Sequence, residues 1–175
     1  HDPAVRALAK RERADYKRFF GIVNKHLVIY SERSGFYKYY EALIDGLLKS
    51  SNITIHYITS DPDDAVFELA KTQPRIRPYY IGLKKLIPLM MRLDADMVAM
   101  TTPDLDTFYI KRSLVRKDAE YIYVPHDMMS IHMGFHKGAL DHFDTVFATG
   151  PHVEREIRST ERVYGLPEKT VVPFG

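Results

Sequence analysis

Histidine side chains are concentrated in one segment of this chain, residues 121–152, which holds five of the eight histidines. An imidazole has a pKa near neutrality, so it can exchange a proton or bind a metal at physiological pH. The segment begins and ends with short runs typical of strands, at residues 121–124 and 145–148. Functional groups in sheet proteins collect just beyond strand ends. His126, which follows the first run, is therefore the leading candidate for chemistry.

A metal site is an alternative interpretation of the same segment. His132 and His136 are four residues apart, a spacing that places two side chains on one face of a helix. Asp127 stands nearby and adds a carboxylate to the set. Gly134 lies between the two histidines and weakens the helix that this site requires. We therefore predict no bound metal and expect His132 to contact substrate instead.

Polar groups also follow two other strand-like runs. Ser34 and Gly35 lie between the first strand and its helix, where backbone N–H groups can meet a phosphate or a polyol, although a glycine here also suits a tight turn. Thr101, Thr102 and Asp104 follow the fourth strand and can hydrogen-bond an acceptor, although Thr-Pro-Asp also favours a turn. We predict substrate contacts for all five residues.

The last helix and the strand before it contribute the remaining candidates. Gly150, Pro151 and His152 lead into this helix, so Pro151 is expected in its first turn with N–H groups open to an anion. We predict that Gly150 and His152 contact substrate. Asp141 and Asp144 are expected to fasten the entrance of the strand at 145–148 rather than to act as acids.

The segments that carry these residues alternate between strand-like and helix-like patterns. Strand-like runs lie at 26–30, 53–58, 76–81, 97–101, 121–124 and 145–148, and another starts at 170. Helix-like runs lie at 36–49, 62–71, 82–93 and 154–164, whereas 105–116 suits either an extra hairpin or an extended crossing segment. Strands separated by helices need crossover connections, which favour a parallel sheet covered on both faces. We predict an α/β, Rossmann-like, doubly wound domain over residues 26–175.

Composition excludes several classes of protein. A formal net charge of +2 gives no chain-wide basic field for nucleic acid, and no GxGxxG motif marks a dinucleotide site. The absence of cysteine excludes disulfides and suits a reducing compartment. No apolar run approaches the roughly 20 residues that span a bilayer. We expect a cytoplasmic protein.

Residues 1–25 form a separate, basic amphipathic segment. Seven lysines and arginines stand there against three acidic residues, and apolar residues recur at helical spacing. One interpretation is a solvated helix that packs one edge on the domain. The other is a helix that lies near anionic lipid on the inner membrane face.

Four ordered motifs resemble a known family. They are TTPDL at 101–105, PH at 125–126, GAxDHFD at 138–144 and GPH at 150–152. Together they resemble the amino-terminal half of CDP-glycerol glycerophosphotransferase-like proteins, relatives of the wall teichoic acid polymerases, over residues 28–175. The resemblance implies a GT-B architecture, in which two Rossmann-like halves face each other across a cleft. It also implies transfer of glycerol phosphate, or a related polyol phosphate, from CDP-glycerol to a hydroxyl of a polyol-phosphate or glycan acceptor, with no cofactor.

The resemblance also implies roles within the chain. The amino-terminal half of this family holds the acceptor side, and most nucleotide contacts come from the other half. His126 matches the family's amino-terminal histidine, in a Pro-His-Asp sequence where the polymerases carry Trp-His-Gly-Thr. A histidine there can take the proton of the attacking hydroxyl, or it can bond neighbouring backbone and shape the loop.

Two further functions stay open at this point. One is a different GT-B-type enzyme for sugar nucleotides, such as a glycosyltransferase or a relative of UDP-sugar epimerases. The other is a binding or scaffold module that keeps the fold without the chemistry. Because a strand begins at Thr170, where another site loop would follow, we expect the chain to be the first half of a longer protein, inactive alone.

Overall fold

The computed structural model describes residues 2–103, 105–106, 109–125, 138–148 and 151–173, and within the last range it leaves out the side chains at 151–153, 156 and 160. Among these residues, seven strands form one sheet. They are β1 (Lys25–Ser31), β2 (Ile55–Thr59), β3 (Ile76–Tyr80), β4 (Ala95–Met100), β5 (Glu120–Tyr123), β6 (Thr145–Ala148) and β7 (Thr170–Pro173). The helices are α1 (Pro3–Phe20), α2 (Tyr37–Ser50), α3 (Val66–Leu69), α4 (Leu83–Met91) and α5 (Pro151–Tyr164), with a short 3₁₀ helix at Ser34–Phe36.

All neighbouring strands of the sheet are parallel, in the order β3-β2-β1-β4-β5-β6-β7. The chain builds outwards from β1 in one direction as far as β3, then returns to the other side of β1 with β4. The strand order therefore reverses between β1 and β4. In open α/β sheets, ligands bind in the crevice beyond the carboxyl ends of the strands at such a reversal.

Alternate residues of the central strands enter two different hydrophobic cores. On β1, Val28 and Tyr30 belong to one core, whereas Leu27 and Ile29 belong to the other. The first core also receives apolar residues of α1, α4 and α5, and the second receives residues of α2 and α3. Helices therefore cover both faces of the sheet. The predicted Rossmann-like, doubly wound α/β fold is confirmed.

The amino-terminal helix α1 covers the outer edge of the sheet. Three polar contacts join it to the segment that contains the edge strand β3: Arg18 to the carbonyl of Pro78 (2.5 Å), the N–H of Tyr80 to Asp15 (2.8 Å) and the N–H of Gly82 to Glu12 (2.5 Å). An uncovered edge strand presents unpaired backbone groups to other chains. The interpretation of α1 as a helix packed on the domain is confirmed. No helix in the described part of the chain has the length and hydropathy to cross a bilayer.

The helix that follows β2 is shorter than its sequence pattern indicates. The prediction of a helix over 62–71 is wrong at both ends, since α3 covers Val66–Leu69 alone. Asp61 accepts a hydrogen bond from the N–H of Asp63, and Asp64 accepts one from the N–H of Val66, each at 2.9 Å. Aspartate side chains that bond nearby backbone compete with helical hydrogen bonding. The loop before α3 is therefore held in turns.

The region before β5 contains no strand among residues 105–106 and 109–116. Of the two alternatives for 105–116, the extra hairpin is therefore not seen in this described part, and the extended crossing segment stays a prediction. Asp106 has a φ of 66° and its N–H donates to the carbonyl of Ile110 at 2.8 Å, which closes a turn. In contrast, α4 continues through Pro88, which lies inside the helix.

Candidate functional site

A cavity of about 450 Å³ lies at the carboxyl edge of the sheet, where the strand order reverses. Its described lining consists of Tyr30, Glu32, Ser60, Leu83, Thr102, Pro103, Tyr109 and Ile110. Ser60 directly follows β2, Glu32 directly follows β1, and Thr102 is the second residue beyond β4. Because these three strands are neighbours in a parallel sheet, their following residues meet at one edge. The volume lies in the range of small-molecule sites.

Glu32 and Thr102 form the central polar contact of the cavity. Tyr30 and Met100 are paired in the sheet, so the positions two residues beyond each of them stand side by side. The Thr102 hydroxyl donates to Glu32 Oε1 at 2.8 Å. An ionised carboxylate only accepts hydrogen bonds, so the direction of this proton is settled. Within the described residues, the other lone pairs of the Glu32 carboxylate and those of Thr102 Oγ1 have no partner, so they are available to a ligand.

Tyr30 and Ser60 form a second polar pair with an equally defined direction. The Ser60 hydroxyl donates to the carbonyl of Ile81 at 2.9 Å, which uses its single proton. Tyr30 Oη is therefore the donor in its 2.8 Å hydrogen bond with Ser60 Oγ. Burial raises the pKa of Tyr30 to about 12, and the charge of Glu32 adds to that effect. The phenol therefore keeps its proton at neutral pH.

The cavity consequently presents hydrogen-bond acceptors and a single negative charge. Among its eight described lining residues, Glu32 alone carries a charge. Thr102, Ser60 and Tyr30 already donate their hydroxyl protons to protein atoms. A hydroxyl-bearing ligand satisfies these acceptors, whereas an anionic phosphate is repelled by the charge of Glu32.

The rim of the cavity is apolar and open to solvent. Tyr109 is 70% exposed and Leu83 is 53% exposed, whereas the lining residue Ile110 is buried. Large apolar groups at this level of exposure are suited to cover the carbon skeleton of a bound molecule. Tyr109 also offers a phenolic proton at the mouth of the cavity.

The structure places the predicted residues of the β1–α2 loop outside the cavity lining. The Ser34 N–H donates to Asp61 at 3.2 Å, and the Ser34 hydroxyl accepts from the N–H of Ala65 at 2.9 Å. These contacts fasten the β1–α2 loop to the β2–α3 loop. The carboxylate of Asp61 also occupies the position that an external anion would take at the Ser34 N–H. Gly35 is exposed, with open space beside its Cα.

The predicted residues after β4 divide between the cavity and the interior. Thr102 lines the cavity, and its contact with substrate stays a prediction. Thr101 is fully buried and is absent from the cavity's described lining. Asp104 lies outside the described residues.

The remaining predicted site residues belong to segments that the structure leaves undescribed. His126, His132 and Gly150 lie outside the described residues, so their roles stay predictions. His152 is in the first turn of α5, and its side chain is likewise undescribed. The predicted location of Pro151 in the first turn of this helix is confirmed.

Comparison with known proteins gives no relative to guide the assignment. No family model, curated protein or solved structure matches this chain. Within the described residues, no three His, Asp or Glu side chains converge as a set of metal ligands. Function is therefore inferred from the chemistry of the cavity and from the motifs of the chain.

Sequence reasoning missed four residues of the cavity that now define its chemistry. They are Tyr30, Glu32, Ser60 and Tyr109. Glu32 and Ser60 were detectable, because each is the second residue after a strand-like run, and Thr102 directly follows another such run. Tyr30 and Tyr109 carried no such signal, since aromatic residues in or near strands are most often core residues.

A second cavity, of about 370 Å³, lies beside the amino ends of β6 and β7. Its charged lining residues Arg112 and Asp144 hydrogen-bond to other protein groups. Arg112 lines it and donates to the carbonyl of His142 (2.6 Å), to Asp144 (3.1 Å) and to the carbonyl of Ala119 (3.1 Å). Asp144 also accepts from the N–H of Tyr121 at 2.8 Å. The expectation that Asp144 fastens the strand entrance is confirmed.

Proposed function

We propose that this chain is the acceptor-binding, Rossmann-like half of a GT-B-type transferase. The reaction is transfer of glycerol phosphate, or a related polyol phosphate, from CDP-glycerol to a hydroxyl of a cell-wall polymer. The observation that carries the proposal is the cavity at the strand-order reversal, whose Glu32 and Thr102 present acceptors to an incoming hydroxyl. The motif resemblance at 101–105, 125–126, 138–144 and 150–152 supplies the donor.

The charge of the cavity favours the acceptor over the donor as its occupant. A phosphate oxygen about 4 Å from a carboxylate meets a repulsion of roughly 4 kcal/mol at the effective dielectric constant of a protein surface. Glu32 has no charged partner among the described residues that line the cavity. The donor's phosphates therefore bind elsewhere, in agreement with nucleotide contacts from a second half.

The proposed reaction needs one base near this cavity. The acceptor oxygen forms a bond to the phosphorus attached to CMP, the bond from that phosphorus to CMP breaks, and CMP leaves with the electron pair. The hydroxyl proton passes to His126, which follows β5 in the sequence. Tyr123 at the end of β5 pairs with Met100 at the end of β4, so the segment with His126 starts one strand away from the segment with Thr102.

An anionic membrane surface is the second partner of the proposal. Arg6, Lys10, Arg13 and Lys17 recur at helical spacing along α1, and all four side chains are exposed. Within the described residues they form no ion pair, whereas Glu12 and Asp15 on the packed side bind the segment around β3. We call these four residues the basic stripe. It gives α1 a cationic outer face that suits anionic lipid at the inner membrane face.

A donor screen tests the proposed reaction. The intact natural protein is incubated with CDP-glycerol, CDP-ribitol or UDP-sugars and a polyol-phosphate or glycan acceptor, and release of CMP or UDP is measured. We expect acceptor-dependent release of CMP. Release of UDP alone would favour a sugar-nucleotide enzyme, and no release from any donor would favour a binding module without chemistry.

A further inference from the structure

We propose that the cavity recognises a vicinal diol, a pair of hydroxyls on adjacent carbons. One hydroxyl donates to the second lone pair of Glu32 Oε1 and the other to Thr102 Oγ1. The inference rests on the proposed function, because it names the end group of the acceptor that this cavity binds. Glu32 and Thr102 act here as positioning residues that determine specificity.

Thr102 Oγ1 and the Glu32 carboxylate are already oriented as hydrogen-bond acceptors in the structure. The single hydroxyl proton of Thr102 is committed to Glu32 Oε1, which leaves Thr102 Oγ1 as an acceptor towards the cavity. The same contact uses one lone pair of Glu32 Oε1 and leaves its second lone pair without a partner among the described residues. Glu32 and Thr102 are each about half-buried, so a ligand in the cavity displaces water from both.

The spacing of the two acceptors matches a pair of adjacent hydroxyls. Thr102 Oγ1 and Glu32 Oε1, which keeps a second lone pair for a ligand, are 2.8 Å apart. Hydroxyl oxygens on adjacent carbons in the gauche arrangement are separated by a comparable distance. A vicinal diol therefore donates to a carboxylate and to its hydroxyl neighbour at once. A ligand with separated hydroxyls satisfies one acceptor only.

The apolar rim completes the fit to a small polyol. Leu83 and Tyr109 stand at the mouth of the cavity, where the carbon atoms that carry the two hydroxyls would leave it. The loss of one hydrogen bond to a charged acceptor reduces affinity roughly tenfold. We expect selectivity of that order between isomers that differ only in the placement of the second hydroxyl.

Two isomers provide a matched pair of ligands for the test. Propane-1,2-diol and propane-1,3-diol contain the same atoms, but only the first has adjacent hydroxyls. Each is titrated into the ¹⁵N-labelled chain, and the amide shifts of Glu32, Ser60 and Thr102 are followed. We expect saturable shifts with roughly tenfold higher affinity for the 1,2-isomer. Glycerol should behave as the 1,2-isomer does, and inorganic phosphate should cause no shift at these residues.

Variants show whether the selectivity arises from the proposed pair. Glu32→Gln removes the negative charge of one acceptor and replaces one of its two oxygens by a donor, and Thr102→Val removes the other acceptor with little change of shape. Both should bind the two isomers equally, with amide spectra that otherwise match the parent chain. Glu68→Gln, on the exposed face of α3, is the matched control and should keep the selectivity. Equal affinity of the parent chain for both isomers would overturn the inference, as would phosphate-induced shifts at Glu32 or unchanged selectivity in Glu32→Gln.

The outcome separates this inference from the proposed function. CMP release without selectivity for the vicinal diol overturns the diol inference alone. Diol selectivity in a protein that releases no nucleotide from any donor overturns the transferase alone and leaves a polyol-binding module.

Discussion

Thr102 donates its hydroxyl proton to Glu32 across 2.8 Å, although the two residues are 70 positions apart in the chain. The contact joins the residues that follow β1 and β4 at the strand-order reversal. It also determines that these two side chains present hydrogen-bond acceptors to the cavity. Because the two side chains act as one unit, they should also be coupled energetically.

The first prediction concerns that coupling. In acceptor-dependent CMP release by the intact protein, Glu32→Gln and Thr102→Val should each lower kcat/KM for the acceptor roughly tenfold. The double variant should lose little more than either single one, because both changes disrupt the same paired site. Multiplicative losses in the double variant would show that the residues act independently.

The second prediction concerns His126 as the proposed base. His126→Ala in the intact protein should reduce CMP release by about 10²- to 10⁴-fold, the range for loss of general base catalysis. His142→Ala is a suitable control, since that side chain is exposed. Steady-state release and acceptor binding are measured for both. Full turnover in His126→Ala contradicts the assignment.

The third prediction concerns the contact between α1 and the edge of the sheet. Asp15 accepts a hydrogen bond from the N–H of Tyr80, and Asp15→Ala leaves that donor without its partner. We expect a loss of about 1–3 kcal/mol in the free energy of unfolding, measured with denaturant. Glu41→Ala, at an exposed site on α2, should cost much less. If Asp15→Ala lowers the free energy of unfolding no more than Glu41→Ala does, the contact between Asp15 and Tyr80 contributes little to stability.

The fourth prediction concerns stability in acid. Burial, aided by the charges of Lys25 and Arg77, lowers the pKa of His56 to about 4. In the unfolded chain the pKa is about 6.5, so between these values the unfolded state binds a proton that the folded state does not. The contribution of His56 to stability should therefore be constant well above pH 6.5 and should fall as the pH drops towards 4, by an amount of order 3 kcal/mol.

The acid effect can be assigned with two variants. His56→Gln removes the titrating ring next to the Tyr79 hydroxyl, from which Nδ1 lies 2.8 Å away. Its free energy of unfolding should decline less than that of the parent between pH 7 and pH 4.5. His142→Gln, at an exposed site, should follow the parent curve. An unchanged decline in His56→Gln assigns the acid sensitivity to other groups.

The fifth prediction concerns the basic stripe. Each basic residue near an anionic bilayer contributes about 1 kcal/mol, so four of them should give salt-sensitive binding to vesicles that contain phosphatidylserine. Replacement of the stripe by glutamine should abolish pelleting with these vesicles. The matched control replaces four exposed basic residues elsewhere: Lys49, Lys84, Lys117 and Arg162. Equal pelleting of the two quadruple variants would exclude the stripe as the contact surface.

The amino-acid sequence by itself determined the class of fold and much of the element order. Apolar residues at a period of two or near 3.6 mark strands and helices locally, and the alternation of these elements requires crossovers and a parallel sheet. The position of Pro151 in the first turn of α5 is equally local. Local patterns failed at 62–71, where the Asp61 and Asp64 side chains bond nearby backbone and restrict the helix to four residues.

The tertiary structure alone decided which polar residues meet. Thr102 was identified from its position after a strand, but its pairing with Glu32 depends on β1 and β4 being neighbours in the sheet. The sequence alone is compatible with Glu12 and Asp15 on the solvated face of a helix. In the structure they accept hydrogen bonds from the N–H groups of Gly82 and Tyr80. Strand order and helix docking depend on contacts between residues about 65 to 70 positions apart. No local periodicity encodes such pairings, because they arise from the burial of two sheet faces and the pairing of backbone groups across the whole chain.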